Sequence, residues 1–434
     1  MKRSTFDLRA SLVISHSALV IPCLCALCAS AWNSSPALAL DWPQWRGPNR
    51  DGVAAGAKLP ATWTASELRP VWKTPVGEGY SGPVIVGGKL FAHVREQNNE
   101  VVLCMDATTG KGVWRYAYPA PYQIVPVAIG HGAGPKATTT VVGDRVYAFG
   151  ISSILTCVDA TTGKKIWQVD AKKDFDAAPA EYGTAGSPLV EGDLVIVPVG
   201  GKRGGSVMAF RKDTGKLAWK AVPGELPSFS SPVAADVAGV RHILTFTEKQ
   251  FVGLEPKSGK LLWSYPFETD YRQNIVTPVV AGDLVVASGY AKFAFALRIA
   301  ADGDRVTARE AWKNRDLRIY MSSPVVVGDH VYGLGAQNAL VCVDIKTGKT
   351  AWLDGNFGEY CSIVVAGDRL LVLTSDGELT VLKADPAEYK ELGRSKLTSS
   401  AAWSHLGLVG SRIFVRDAKQ IACFDLAGGG RRND

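Results

Sequence analysis

The chain has no adjacent Cys-Cys pair, no His-Glu-x-x-His and no Gly-x-Ser-x-Gly. The signatures of zinc peptidases and of α/β-hydrolases are therefore missing. Its 434 residues include only four methionines and six histidines. The histidines, at 16, 93, 131, 242, 330 and 405, fall at no metal-ligand spacing, so each reads as a surface or packing residue and no metal is expected. No basic tract is longer than a pair such as Lys172-Lys173 or Arg431-Arg432. The formal charge is +7, and Lys2, Arg3, Arg9 and Asp7 account for +2 of it, leaving +5 scattered over the rest. Nucleic-acid binding needs a basic stripe or patch, so no nucleic acid partner is expected. Beyond the first forty residues there is no long apolar run, and no membrane span is expected there.

The start of the chain reads as a targeting segment. Lys2, Arg3 and Arg9 precede an apolar run from Leu12 to about Ala31, and Ala37-Leu38-Ala39 forms an A-x-A cleavage site. Residues 1–39 are expected to be a signal peptide cut after Ala39, placing the protein in the periplasm or outside the cell. A lipoprotein anchor on Cys23, Cys25 or Cys28 is disfavoured, because Leu27 before Cys28 is not small. Five cysteines remain: Cys104, Cys157, Cys342, Cys361 and Cys423. An odd count leaves one unpaired. Four of them stand two residues before an Asp, at 106, 159, 344 and 425. They read as one repeated position, hence as small buried hydrophobes far from one another.

What the chain has in quantity is repetition. Asp106-Ala-Thr-Thr-Gly-Lys-Gly-Val-Trp114 recurs as Asp159 to Trp167, Arg211 to Trp219, Glu255 to Trp263 and Asp344 to Trp352. A second element, such as Ser187-Pro-Leu-Val-Glu-Gly-Asp193 or Ser323-Pro-Val-Val-Val-Gly-Asp329, has apolar β-branched runs on both sides of its Gly. Each element is a hairpin, with Gly supplying the positive φ of the turn. Together they make four antiparallel strands, A to D, with A–B turning at Gly-Asp and C–D at Thr-Gly-Lys. Successive A–B glycines lie 39 to 56 residues apart, from Gly87 to Gly410. A period of about 45 with four strands per unit is the signature of a β-propeller. Eight A–B hairpins predict eight blades, with seven the nearest alternative. Fourth strands fall at Trp72, Trp114, Trp167, Trp219, Trp263, Trp312, Trp352 and, degenerately, near Leu392. The last unit offers three strands, so the strand around Trp72 is expected to close the ring and remove a free edge. The domain plan is a signal peptide (1–39), an extended N-terminal arm (40–68) lying over the ring with Trp42 and Trp45 packed down, a propeller (69–427) and a disordered tail (428–434).

Asp-x-x-Thr-Gly-x-x-x-Trp in an eight-unit propeller resembles the pyrroloquinoline quinone (PQQ) repeat family, over about residues 69–427. That family includes quinoprotein dehydrogenases and non-enzymatic propellers such as the outer-membrane protein assembly lipoprotein. Members usually carry Ala two residues before the Asp, where four blades here carry Cys. The arm Asp41-Trp-Pro-Gln-Trp-Arg-Gly-Pro-Asn-Arg-Asp-Gly52 is similar to the start of secreted members of the family. The repeated motif is structural: Trp is expected to dock its N–H on the neighbouring blade, while Asp and Thr bond turn amides. The enzymes carry an adjacent Cys pair, calcium ligands and an Asp base, and none of these can be placed here. The expectation is a binding or scaffold protein, monomeric, with no cofactor and no catalytic residue, recognising a partner protein or ligand of unspecified kind. The alternative is a quinone-dependent oxidoreductase with PQQ and calcium. Gly77-Glu-Gly-Tyr-Ser-Gly82 precedes a strand rather than a helix, so it lacks the context of a dinucleotide loop.

Any site should lie on the face where the D–A and B–C connections open, because loops held by a rigid scaffold usually carry binding. His131, Glu181 and Tyr182 stand in its long D–A loops, and Arg203 in a Gly-rich B–C loop. Tyr80, Phe229, Tyr320 and Tyr360 stand just before A strands, where they either ring the mouth of the channel or plug it as core.

Overall fold

The computed structural model describes residues 41–60, 68–177, 182–201 and 204–428. The expected signal peptide, Glu181, Arg203 and the last six residues lie outside these. The described chain forms eight four-stranded antiparallel sheets. Blade 1 pairs Val84–Val86, Lys89–Glu96, Asn99–Asp106 and Gly112–Pro119 in that order. Blades 2 to 7 repeat this within residues 140–170, 189–221, 233–266, 279–314, 325–354 and 361–396. Blade 8 takes Gly407–Val409, Arg412–Arg416 and Gln420–Asp425 from the C-terminal end and Pro70–Pro75 as its outermost strand. Eight blades and a ring closed by the strand of Trp72 are as the repeats predict.

The pairing register explains the motif residue by residue. The position two before the motif's Asp lies directly opposite the Trp of strand D: Cys104 faces Trp114, Cys157 Trp167, Cys342 Trp352 and Cys423 Trp72. Ala209, Gly253 and Ala296 hold the same place against Trp219, Trp263 and Trp312. Only a small side chain fits beneath an indole there. Burial pushes the Cys104 thiol up to about 11 and Cys157 up to about 12, so neither is a nucleophile at neutral pH. Next to each Trp the register slips by one residue, a β-bulge that aims the ring at the following blade.

There the indole meets the next C–D turn. Trp72 Nε1 donates to Ala107 O at 3.1 Å, Trp167 to Lys212 O at 2.8 Å, Trp219 to Pro256 O at 3.0 Å and Trp312 to Ile345 O at 2.8 Å. Trp114 and Trp352 make the same bond, to Ala160 O and Asp385 O. The turn Gly lies flat on the ring: a Cβ on Gly259 would stand 2.5 Å from Trp219. Asp106 fixes the turn by accepting from the amides of Thr108 and Thr109 and from the Thr109 hydroxyl. Trp263 is the exception to the expected docking, for its buried Nε1 has no partner among the described residues. Its neighbour, blade 5, turns at Asp302–Arg305 on two long strands, Ala294–Asp302 and Arg305–Asn314, so no Thr-Gly turn comes within reach. The apolar core is divided into slabs between blades, such as Phe246, Phe251, Trp263 and Phe295 between blades 4 and 5.

The arm does not lie over the ring as expected. It enters the central channel and touches the innermost strand, or the residues leading into it, in all eight blades. Trp42 pairs with Ile85, Pro43 O accepts from Val141 N, and Ala54 N donates to Val365 O. Trp45 Nε1 donates to Thr277 Oγ1 at 2.8 Å, and His405 packs against both Trp42 and Trp45. Arg50 bonds Ser187 O, Pro188 O, Pro232 O and Thr140 Oγ1; Arg46 bonds Pro324 O and Asp51 O. The cause is an imbalance of backbone groups. Inner strands that begin with proline turn carbonyls into the channel without matching N–H donors, and an arginine fork supplies only donors. Both guanidiniums are buried, and desolvation lowers Arg46 to about 10 and Arg50 to about 9, still cationic at neutral pH.

Candidate functional site

With the channel filled from one side, the other side is a blind bowl of about 830 Å³. Its wall is built from one repeated position. Four residues before the inner strand stand Tyr80, Lys136, Ala185, Phe229, Ile275, Met321 and Trp403 in blades 1 to 6 and 8. In blade 7 the inner strand begins three residues earlier and Tyr360 takes the equivalent place. All eight line the bowl. The residues that follow are nearly uniform because they tie blades together. Gly82 N donates to Thr138 Oγ1, Thr138 N to Ser187 Oγ, Ser187 N to Ser231 Oγ and Thr277 N to Ser323 Oγ. A belt of hydroxyls thus holds the ring of eight variable side chains in place from beneath.

Of the residues predicted from sequence, Tyr80, His131, Tyr182, Phe229, Tyr320 and Tyr360 line this cavity. Glu181 and Arg203 lie outside the described residues. The predicted tryptophans stand on the outer strands, remote from it. In the B–C loop from Arg95 to Glu100 the tip, Gln97 to Asn99, is exposed, but the two charged ends are buried and bonded. Arg95 is buried and bonds Ala133 O and Ala120 O, while Glu100 accepts from Ile151 N and from the Tyr118 hydroxyl.

Sequence reasoning missed Trp45, Lys136, Tyr290, Arg318, Glu359 and Trp403. Trp403 is the centre of an aromatic group, stacked on Tyr360 at 5.3 Å and edge-on to His131 at 5.6 Å and Tyr80 at 6.5 Å. Across the bowl Tyr182 meets Phe229, and Tyr290 meets Tyr320. Counting four residues back from each inner strand would have found Trp403 and Lys136. Lys136 is half-buried; its Nζ donates to Tyr182 O at 2.8 Å, and among the described residues no carboxylate pairs with it. Desolvation lowers its amine to about 8. Burial and the Lys136 charge also lower His131, leaving the imidazole neutral at pH 7. Tyr271, Arg272, Ala291, Gln337 and Asn338, in the loops of blades 5 and 6, all hold a left-handed backbone. Such strain costs of order 1 kcal/mol or more per residue and collects at binding sites.

Among the described residues, no group of three His, Cys, Asp or Glu could hold a metal ion. Among the described residues, Glu359 is the only carboxylate that lines the bowl. Calcium takes six to eight oxygens, mostly carboxylate and carbonyl. The five free cysteines are buried within strands, none of them lining the bowl. These side chains do not fit a quinone held with calcium. Among the described residues, no helix is long and apolar enough to cross a membrane.

Eight four-stranded blades, with a Trp docked on the next turn, place the chain among PQQ-like β-propellers. The family model described as outer membrane protein assembly factor BamB matches residues 98–354 and 324–405, and the chain belongs to that family. Outer membrane protein assembly factor BamB of Shewanella oneidensis is 24% identical over 364 residues, covering 80% of this chain and 85% of that protein. Quinohemoprotein alcohol dehydrogenase ADH-IIG of Pseudomonas putida is 27% identical over 228 residues, 44% of this chain but only 29% of the enzyme. In fold, the crystal structure of BamB from Moraxella catarrhalis matches with a TM-score of 0.60 at 17% identity, over 82% of this chain and 99% of that one.

Proposed function

We propose that this chain is a non-catalytic binding protein of the periplasm or cell exterior that takes a partner protein or ligand into its bowl. The observation that carries this is the ring of eight. The same position in every repeat faces one cavity, and it varies while the bonds beneath it stay alike. Rigid aromatic side chains with a polar tip suit recognition, and a concave apolar site of this size falls in the roughly 300–1,000 Å³ range of ligand pockets. Similarity to assembly factors, along most of the length of both chains, supports the reading; similarity to the dehydrogenase covers a minor part of that enzyme.

The test is capture from a cell-envelope extract, comparing wild type with Trp403→Ala and Tyr320→Ala. Both variants should keep the wild-type melting temperature and lose the captured partner. Equal capture by all three would move the site off the bowl. In parallel, apoprotein is mixed with PQQ and calcium. A bound chromophore with dye reduction would establish the oxidoreductase reading in its place.

A further inference from the structure

We propose that the bowl selects a small organic monoanion with an apolar ring body, its acidic group held at Lys136 and its ring against Trp403 and Tyr360. This rests on the reading of the bowl as a binding site. The argument starts from the eight inner positions. Seven are apolar or aromatic, and Lys136 alone carries a full charge. The long stem of Lys136 is half-buried against the wall, and its ammonium has one carbonyl acceptor, Tyr182 O, for three donors. A cation so placed has given up water without gaining a counter-charge among the described residues, and an incoming anion restores it.

The charge behind the wall is mixed, for Glu78 acts on Tyr80 together with Arg416, and Asp51 lies beside Arg46. Arg416 is buried behind Tyr80 and Arg46 behind Tyr360, each close enough to act on the phenol electrostatically. Arg318 and Glu359, one of each sign, also line the bowl and are both exposed. His131 is neutral at pH 7 and adds no second cation. One inner cation suits one acidic group, where a polyacid would need several. The rest of the ring offers flat platforms, above all the stacked pair Trp403 and Tyr360.

Three isosteric probes test this: 2-naphthoate, 2-naphthalenemethanol and 2-naphthylmethylammonium, titrated calorimetrically and by tryptophan fluorescence. Wild type should bind the carboxylate about tenfold or more tighter than the alcohol, as one charge-assisted hydrogen bond is worth, and should bind the ammonium weakest. Lys136→Met should level the carboxylate and the alcohol, Lys136→Arg should keep the preference, and Trp403→Ala should weaken all three. Equal affinities in wild type, or a preference that survives in Lys136→Met at an unchanged melting temperature, would overturn the proposal. If the alcohol binds as well as the carboxylate and Trp403→Ala weakens both, the bowl still binds ligands and only the anion preference falls. If no probe binds up to its solubility limit, the small-ligand reading of the bowl falls as well.

Discussion

A tryptophan that stacks on the next blade does two separable things: it fills space and it satisfies a carbonyl. Trp219 does both, and Trp263 only the first. Trp219→Phe should therefore cost about 1 kcal/mol more than Trp263→Phe, the net worth of a buried hydrogen bond, read as the difference in urea-unfolding free energy. Equal costs would mean that the indole bond contributes nothing. The turn glycines separate in the same way. Gly259 and Gly282 both have positive φ, but only Gly259 lies against an indole. Gly282→Ala should cost about 1–2 kcal/mol, the price of a left-handed alanine. Gly259→Ala should cost clearly more, because the methyl group also displaces Trp219.

At the scale of elements, the arm behaves as a plug held by donors. Arg50→Ala would strand the buried carbonyls of Ser187 in blade 3 and Pro232 in blade 4, and would leave Pro188 O with the Thr140 hydroxyl alone. We expect a loss of about 3 kcal/mol or more, since each stranded group costs about 1–3, measured by chemical denaturation. The strands themselves were plain in the sequence. Alternating apolar runs, turn glycines and the Trp spacing are local signals, and local signals repeated eight times leave little room for another fold. The degenerate strand near Leu392 and the closing strand of Trp72 could both be placed by counting. The plug could not. Trp42, Trp45, Arg46 and Arg50 form no periodic pattern, and their hydrogen-bond partners on the blades lie from 43 to 278 residues away in the chain. Three of the eight ring positions, Tyr80, Phe229 and Tyr360, were legible as aromatic residues before inner strands, and Tyr320 stands beside a fourth. Lys136 escaped because a single lysine in a loop looks like surface until its neighbours are known.

For the whole molecule, burial makes stability depend on pH through two histidines. His93 and His405 are both lowered to about 3, first by desolvation and then by nearby arginines, Arg416 and Arg95 for the former and Arg46 for the latter. Both fold as neutral rings. Between about pH 6.5 and 3 the unfolded chain takes up protons that the folded chain refuses. Stability is therefore complete above pH 6.5 and falls on acidification, by at most about 1.4 kcal/mol per pH unit for each histidine. A melting temperature that does not change from pH 7.5 to 5 would rule this out, and His405→Gln should flatten part of the slope. The closed ring gives a second expectation. Deleting residues 41–75 removes both the plug and the outer strand of blade 8, and the single calorimetric transition should broaden or split as neighbouring blades lose their shared constraint.

The closing strand also sets an order in time. Residues 70–75 pair with residues 420–425, and the plug reaches His405. Synthesis delivers the first of these segments early and their partners last. Until the final strand has emerged, the strand of Trp72 lacks its pairing partner and Trp42 and Trp45 lack His405, while the middle blades can already stack on one another. Clasping therefore waits until residues 420–425 have emerged. A half-made protein remains an open arc that can still be threaded, unwound or degraded, and only a finished one can fasten itself shut.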